Sequence, residues 1–123
     1  MSFRVLVADD AAFMRQMIRE IIEPEGFEVV GEATDGVEVV ESYHELLPDL
    51  VMMDIVMPRC SGIDAVKEIV SKAPQARIVM CSALGQESLV MEALQAGAQD
   101  FIVKPFKPDA VLSTLNKVVE KEA

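Results

Sequence analysis

Hydrophobic and polar positions follow two alternating periods along this chain, and the alternation occurs five times. Short continuous apolar runs predict β-strands, and apolar residues spaced three and four positions apart predict a helix after each of them. The predicted strands lie near residues 3–8, 27–33, 49–53, 77–82 and 100–103. Continuously apolar strands that alternate with helices are typical of a parallel sheet that helices cover on both faces.

Proline and glycine mark where several of the predicted helices end. The first helix is expected to stop at Pro24 and Gly26, the second, near 37–47, at Pro48, and the fourth at Gly97. Five strand–helix units are too few for a closed eight-stranded barrel, so the sheet is expected to be open. The pattern therefore predicts an α/β fold with a doubly wound, five-stranded parallel sheet, (βα)5, in a single domain over residues 1–123.

Polar residues stand at the ends of four of the five predicted strands. They are Asp9 and Asp10 after the first, Asp54 after the third, Ser82 at the end of the fourth and Lys104 after the fifth. Parallel strands end at the same edge of a sheet, and ligands bind there at the point where the strand order reverses. Three carboxylates, a hydroxyl and an ammonium group are therefore expected to meet at one edge.

Each of these residues, taken alone, has a simpler interpretation. Asp9 and Asp10 are typical N-caps of a following helix, and Asp54 alone suits a solvated loop. Ser82 alone suits a turn, and Lys104 alone suits an ordinary surface. Their common position at the ends of four apolar runs favours a functional cluster.

The residue types in this cluster suit phosphoryl chemistry. A carboxylate is a poor nucleophile unless the charge of the incoming phosphoryl group is screened, and Mg²⁺, which prefers carboxylate ligands, provides that screening. Asp9 and Asp10 can hold the metal while Asp54 attacks, which gives an aspartyl phosphate. Lys104 can supply positive charge to the phosphoryl oxygens, and Ser82 can donate a hydrogen bond to one of them.

Composition narrows the class of protein further. The 123 residues are 51% apolar, so burial rather than disulfides should hold the fold, and Cys60 and Cys81 are expected to be reduced thiols. The net charge of −10 argues against nucleic-acid binding. Neither a signal peptide nor a run of about 20 apolar residues is visible, so we expect a cytoplasmic location and no membrane partner.

Four segments together resemble the receiver domain of bacterial response regulators over the whole length of the chain. They are Val7-Ala8-Asp9-Asp10, Met53 to Pro58 with Gly62, Cys81-Ser82-Ala83, and Phe101 to Phe106. The resemblance implies a flavodoxin-like strand order of 2-1-3-4-5 and a signalling switch that catalyses only its own phosphorylation and dephosphorylation.

The resemblance also implies a role for each site residue. Asp54 would be the phosphoacceptor, and Asp9, Asp10, Asp54 and the backbone carbonyl of Val56 would bind Mg²⁺. Ser82 would be the switch hydroxyl, Lys104 the phosphate-binding lysine, and Ala83 the donor of a backbone N–H to the phosphoryl group. The Lys104-Pro105 bond is expected to be cis. Phe101 stands where many members have tyrosine; it would move inward on phosphorylation, or alternatively be a static core residue of a strand.

Within the family, the segments Asp9 to Arg15 and Ala93 to Phe106 most resemble the single-domain chemotaxis regulators, and the receiver half of the chemotaxis methylesterase is also similar. This implies a monomer that receives its phosphoryl group from a chemotaxis histidine kinase and acts on the flagellar motor switch. His44, the only histidine, is expected to be exposed and is not the phosphoryl donor.

The family pattern places Val56 and Leu84 beside the path of the water that hydrolyses the phosphorylated aspartate. Neither side chain can hydrogen-bond a water, so the phosphorylated form is expected to be long-lived. A separate phosphatase would then be needed for quick responses.

Three alternatives remain at this point. The chain could be a phosphorelay intermediate, or the isolated receiver of a larger regulator. It could be a phosphatase with an aspartate nucleophile, although the position where such enzymes usually carry a general acid holds Val56, which cannot transfer a proton. It could also be a metal-binding structural module that is never phosphorylated.

Overall fold

The computed structural model describes residues 2–120, and strands and helices alternate through them as predicted. The strands are β1 (Phe3–Ala8), β2 (Phe27–Ala33), β3 (Leu50–Asp54), β4 (Ile78–Ser82) and β5 (Asp100–Val103). The helices are α1 (Ala12–Ile22), α2 (Gly36–Leu46), α3 (Gly62–Lys72), α4 (Glu87–Ala96) and α5 (Pro108–Glu120). A short 3₁₀ turn, Glu23–Glu25, follows α1.

All five strands are parallel, and they are hydrogen-bonded in the order β2-β1-β3-β4-β5. The chain therefore moves outward from β1 to β2 and then returns past β1 to β3. The carboxyl ends of β1 and β3 are neighbours at this reversal, where open α/β sheets bind ligands. The predicted doubly wound architecture and its strand order are confirmed.

Helices bury both faces of the sheet, because successive strand residues point to opposite sides. Val5 and Val7 of β1 belong to a buried cluster that includes residues of α1 and α5. Leu6 and Ala8 belong to the cluster on the other face, which α2, α3 and α4 cover. All four are 0–1% exposed, which explains why the strands are continuously apolar rather than alternating.

The helix stops predicted from proline and glycine lie close to the observed ones. Pro24 lies in the 3₁₀ turn after α1, and Gly26 after it has a φ of 94°. Gly97 ends α4 with a φ of 128°, a conformation that favours glycine. Within residues 2–120, no helix combines the length and the apolar character that crossing a membrane requires.

Two local predictions differ from the structure: the end of the third strand, by one residue, and the interpretation of Asp9 and Asp10 as N-caps. The third strand was predicted to end at residue 53, whereas β3 extends to Asp54; Ser82 ends β4 as predicted, and strand pairing fixes the backbone of both residues. The N-cap residue of α1 is Ala11, with no side-chain cap bond, so the interpretation of Asp9 and Asp10 as N-caps is wrong.

Candidate functional site

Three carboxylates meet at the carboxyl edge of the sheet, where the strand order reverses. Asp9 and Asp10 directly follow β1, and Asp54 ends the neighbouring strand β3. One oxygen of each side chain lies within 4.8 Å of the other two. Asp9 and Asp54 are 2% and 8% exposed, whereas Asp10 is exposed to solvent. The structure therefore brings together three of the four predicted metal ligands by their side chains.

Lys104 reaches the same acids from the segment after β5. Its Nζ donates to Oδ2 of Asp9 at 3.1 Å and to Oδ2 of Asp54 at 3.2 Å. Its backbone N–H donates to the carbonyl oxygen of Ser82 at 2.7 Å, which ties this segment to the end of β4. The Lys104-Pro105 peptide bond is cis, as the resemblance implied. Lys104 is thus held at both its backbone and its side chain.

Burial and charge act in opposite directions on the ionisation of this cluster. Burial raises the pKa of Asp54; the charge of Lys104 opposes that rise, and the charge of Asp9 adds to it. Burial alone lowers the pKa of Lys104, but its bond to Asp9 and the charges of both acids outweigh burial and raise that pKa overall. Lys104 is therefore charged at neutral pH, and its ammonium pairs with two of the three clustered acids, Asp9 and Asp54.

The two oxygens of Asp54 have different surroundings. Oδ2 accepts the hydrogen bond from Lys104, whereas Oδ1 accepts a long one, 3.4 Å, from the backbone N–H of Val56. The chain then folds back sharply, because Gly62 donates to the carbonyl of Ile55 at 2.7 Å and lies against the carbonyl of Asp54. A Cβ at residue 62 would collide with that carbonyl, so this approach requires glycine. The Val56 side chain is left 55% exposed.

Ser82 and Ala83 lie at the end of β4, beside β3. Cys81 pairs with Asp54 in the strand register, which places Ser82 one residue beyond it. Ser82 is 2% exposed, and Ala83 is exposed. The backbone N–H of Ala83 donates to Oε1 of Gln86 at 2.7 Å. This contact of Gln86 was not predicted, because a glutamine in a loop carries no sequence signal that identifies its backbone partner.

Phe101 lies on β5 with 39% of its surface exposed, so the alternative of a static core residue is wrong. It lines an apolar cavity of about 180 Å³ between β5 and α4, together with Ser82, Leu84 and Met91. Ser82 and Phe101 therefore border one cavity, from the neighbouring strands β4 and β5. Because the two side chains share this cavity, the space that Ser82 occupies determines how much is left for Phe101.

The donor groups at this edge suit a hard divalent cation. The clustered acids offer only oxygen ligands, which Mg²⁺ prefers to nitrogen or sulfur. Cys81 adjoins the cluster but is buried, and burial raises the pKa of its thiol to about 12, so it stays protonated. The carboxylates therefore fit Mg²⁺ better than they fit a softer metal such as zinc.

Arg15, for which no role was predicted, also makes contacts at this edge. Arg15, on the first turns of α1, donates from Nη1 to the backbone carbonyl of Asp9 at 2.6 Å. The same guanidinium donates from Nε to Oε1 of Glu32 on β2 at 2.6 Å. The sequence shows an arginine six residues after Asp9. The bond from Arg15 to Glu32, however, depends on the distance between α1 and β2, which the sequence does not show.

The family model for the response regulator receiver domain matches residues 5–116. Among curated proteins, the chain is 59% identical to the chemotaxis protein CheY of Thermotoga maritima, over 96% of this chain and 98% of that protein. The relative thus has almost the same length as this chain.

Solved structures agree with this likeness. The response regulator domain of Thermotoga maritima CheB has a TM-score of 0.90 and 41% identity, with 98% of each chain covered. A chain of the CheX-CheY-BeF3-Mg²⁺ complex from Borrelia burgdorferi has a TM-score of 0.88 and 40% identity, with 94% of this chain and 88% of that chain covered.

Proposed function

The chain belongs to the response regulator receiver domain family, and we propose that it accepts a phosphoryl group on Asp54 and thereby changes its affinity for a protein partner. It is a phosphorylation-dependent switch, closely similar to the chemotaxis protein CheY, and not an enzyme in the ordinary sense. We further propose that the only reactions it catalyses are its own phosphorylation and dephosphorylation.

The surroundings of Asp54 are the observation that carries this proposal. It is a buried acid at the switch point of the sheet, with Lys104 on one oxygen and two further acids within 4.8 Å. Asp9 and Asp54 are buried, and like charges repel strongly where water does not screen them, so a structural role alone does not explain why these two acids lie together with Asp10 beside them. Their residual negative charge, with a lysine beside it, suits a site that binds a cation and a phosphoryl group together.

The proposed physiological donor to Asp54 carries a phosphorylated histidine. Oδ1, the oxygen that Lys104 does not bind, would attack phosphorus. The new P–O bond forms as the P–N bond to the donor imidazole breaks, and the imidazole leaves with that electron pair and takes a proton from solvent. Lys104 would then bind a phosphoryl oxygen and hold its charge. By resemblance, the donor is a chemotaxis histidine kinase.

Asp9, Asp10, Asp54 and the backbone carbonyl of Val56 would hold Mg²⁺ at this edge. When bound, the ion supplies positive charge that screens the phosphoryl oxygens from the carboxylates. The oxygen-only donor set of the clustered acids supports this assignment.

Ser82 and Ala83 would convert the new charge into a change of surface. Ser82 would turn toward the phosphoryl oxygens and move away from the cavity that it shares with Phe101. Phe101, now 39% exposed, could then move into the space, which alters the surface formed by α4, β5 and α5. We propose that this surface binds the flagellar motor switch, and that the protein acts as a monomer in the cytoplasm without nucleic-acid or membrane partners.

Exposure to a small acyl-phosphate donor with Mg²⁺ tests the proposal. A receiver gains one phosphoryl group, which intact-mass spectrometry detects, whereas a structural metal-binding module gains none. A pull-down with flagellar switch proteins, with and without a phosphoryl mimic, then separates a chemotaxis regulator from a phosphorelay intermediate.

Metal binding is expected to stabilise the fold, because it relieves repulsion among the three acids. At a hundredfold excess of Mg²⁺ over its dissociation constant, the free energy of unfolding should rise by about 2.7 kcal/mol. Asp10→Ala should abolish most of this gain, and Asp109→Ala, at an exposed acid of α5, should retain it. Thermal unfolding with and without Mg²⁺ measures the effect; an unchanged melting temperature in the parent would rule out the metal site.

Phosphorylated Asp54 is expected to be long-lived because Val56 and Leu84 offer no hydrogen bond to an in-line water. Their side chains are 55% and 81% exposed, so they do not bury each other. Positioning of a reactant contributes several kcal/mol in other reactions, so Val56→Asn with Leu84→Glu should speed decay by at least about tenfold. The decay of the phosphorylated form after donor removal measures this, and equal rates in both proteins would contradict it.

Gln86 is expected to compete with the phosphoryl group for the backbone N–H of Ala83. A hydrogen bond of this kind contributes about 0.5–1.5 kcal/mol, so Gln86→Ala should tighten beryllofluoride binding about two- to tenfold. Gln95→Ala, at an exposed glutamine of α4, serves as the control. A titration with Mg²⁺ present measures both; unchanged or weaker binding by the Gln86 variant would show that the bond does not compete.

A further inference from the structure

The side chain of Arg15 connects α1 to β2 and to the segment that carries two of the acids. Its Nη1 donates to the backbone carbonyl of Asp9, and its Nε donates to Oε1 of Glu32, both at 2.6 Å. The side chain is only 14% exposed, so water competes weakly for these bonds. One guanidinium thus bonds to two segments at once, which its planar fork of donors permits.

Glu32 is itself fixed in place. Arg19 donates from Nη2 to Oε2 at 2.6 Å, so each oxygen of Glu32 has its own arginine. The bonds and charges of Arg19 and Arg15 lower the pKa of Glu32 despite its partial burial, and Glu32 stays ionised at neutral pH. Arg15 is therefore anchored on a carboxylate that the next arginine along the helix also holds.

The carbonyl that Arg15 binds belongs to the peptide group between Asp9 and Asp10. Any rotation of that rigid peptide plane moves the Cα atoms and side chains on either side of it. The Asp9 side chain has other supports, namely the N–H of Ala11 at 2.9 Å and Lys104 at 3.1 Å. Asp10 is exposed, so its direction depends more on the backbone that Arg15 holds.

We propose that Arg15 is a positioning residue for the divalent-cation site. Arg15 does not contact the ion. It holds the peptide group between Asp9 and Asp10 so that both carboxylates point to the same place, and its bond to Glu32 holds Arg15 in position. This inference rests on the proposed function, because it requires that Asp9 and Asp10 bind a cation.

Charge and geometry have opposite effects on this site. The positive charge of Arg15 repels a cation, so its removal by alanine would both loosen the backbone and relieve repulsion. Arg15→Lys separates the two effects, because lysine keeps the charge but lacks the fork that joins the carbonyl to Glu32. Arg19→Lys is the matched control, since Arg19 binds the same glutamate without contacting Asp9 in the bonds described above.

Calorimetric titration with Mg²⁺ of the parent, Arg15→Lys and Arg19→Lys tests the proposal. Loss of a partner that orients metal ligands typically weakens metal binding about 10- to 100-fold, and we expect about tenfold for Arg15→Lys. Arg19→Lys should stay within about twofold of the parent. Circular dichroism without Mg²⁺ identifies a temperature at which all three proteins are folded. Glu32→Gln gives a second test: it leaves Arg15 in place but removes the charge that holds it, and it should also weaken Mg²⁺ binding.

Labelling by an acyl phosphate at increasing Mg²⁺ gives an independent readout. A positioning role predicts that Arg15→Lys needs about tenfold more Mg²⁺ for half the maximal rate, with a maximal rate close to that of the parent. An unchanged Mg²⁺ requirement with a lower maximal rate would overturn the proposal, as would Mg²⁺ affinities within twofold for both the Arg15 and Glu32 variants. A parent that binds no Mg²⁺ would instead contradict the proposed function.

Discussion

Replacing Asp54 with asparagine is expected to reduce phosphoryl labelling to background while the protein stays folded. An amide nitrogen or oxygen is a poor nucleophile, and loss of the nucleophile in other enzymes lowers rates by far more than about a thousandfold. The side chain keeps its shape, and Lys104 retains its bond to Asp9 at 3.1 Å. Intact-mass spectrometry after exposure to an acyl phosphate with Mg²⁺ measures labelling, and circular dichroism measures folding.

The same variant also tests the electrostatics of the site. Because burial raises the pKa of Asp54 above its ordinary 3.8, the folded chain binds this proton more readily than the unfolded chain. The parent should therefore lose stability relative to Asp54→Asn as the pH rises from about 3.8 through the folded pKa. Asp109→Asn, at an exposed acid, is the control for both measurements. Persistent stoichiometric labelling of Asp54→Asn would show that another residue is the principal acceptor.

Replacing Lys104 with alanine is expected to uncouple the switch more than it blocks transfer. The ammonium bonds to Asp9 and Asp54 and would move to a phosphoryl oxygen, and hydrogen bonds to charged groups contribute about 1.5–3 kcal/mol. That energy corresponds to a loss of about tenfold to a hundredfold in the gain of partner affinity on phosphorylation. Labelling should persist at a reduced rate. Partner affinity before and after phosphorylation measures the coupling.

Lys107→Ala is the matched control, because Lys107 is exposed and lies three residues beyond the site. It should behave as the parent does. A Lys104 variant that accepts phosphate and then binds its partner as tightly as the phosphorylated parent would show that this lysine does not couple the two sites.

The fold was predictable from the sequence because the spacing of apolar residues, continuous in strands and three or four positions apart in helices, determines it. Strand segments buried on both faces are continuously apolar, as in Val5 to Ala8 of β1 and Leu50 to Met53 of β3, and the parallel arrangement then brings polar residues at strand ends to one edge. The meeting of Asp9, Asp10, Asp54 and Lys104 follows from that geometry. Their chemical roles remain predictions, which the experiments above address.

The contacts that escaped prediction depend on side-chain conformation and on spacing between elements. Arg15 reaches Glu32, 17 residues away, only because α1 packs beside β2. Gln86 bonds to Ala83 only because of the path that the loop before α4 takes. Phe101 is apolar and lies on a strand, so its pattern suggested the core, yet β5 is an edge strand and leaves it 39% exposed. Periodicity records burial on average and does not specify such individual contacts.

Whether phosphorylation of Asp54 controls partner binding can be measured as the affinity of this protein for a flagellar motor switch protein, by titration with and without beryllofluoride and Mg²⁺. Fluorine NMR would establish that the phosphoryl mimic is bound, and Asp54→Asn would serve as the unresponsive control. We expect at least about tenfold tighter binding in the presence of the mimic, which corresponds to about 1.4 kcal/mol, and no change for the variant. Equal affinities while the mimic is bound would contradict this expectation.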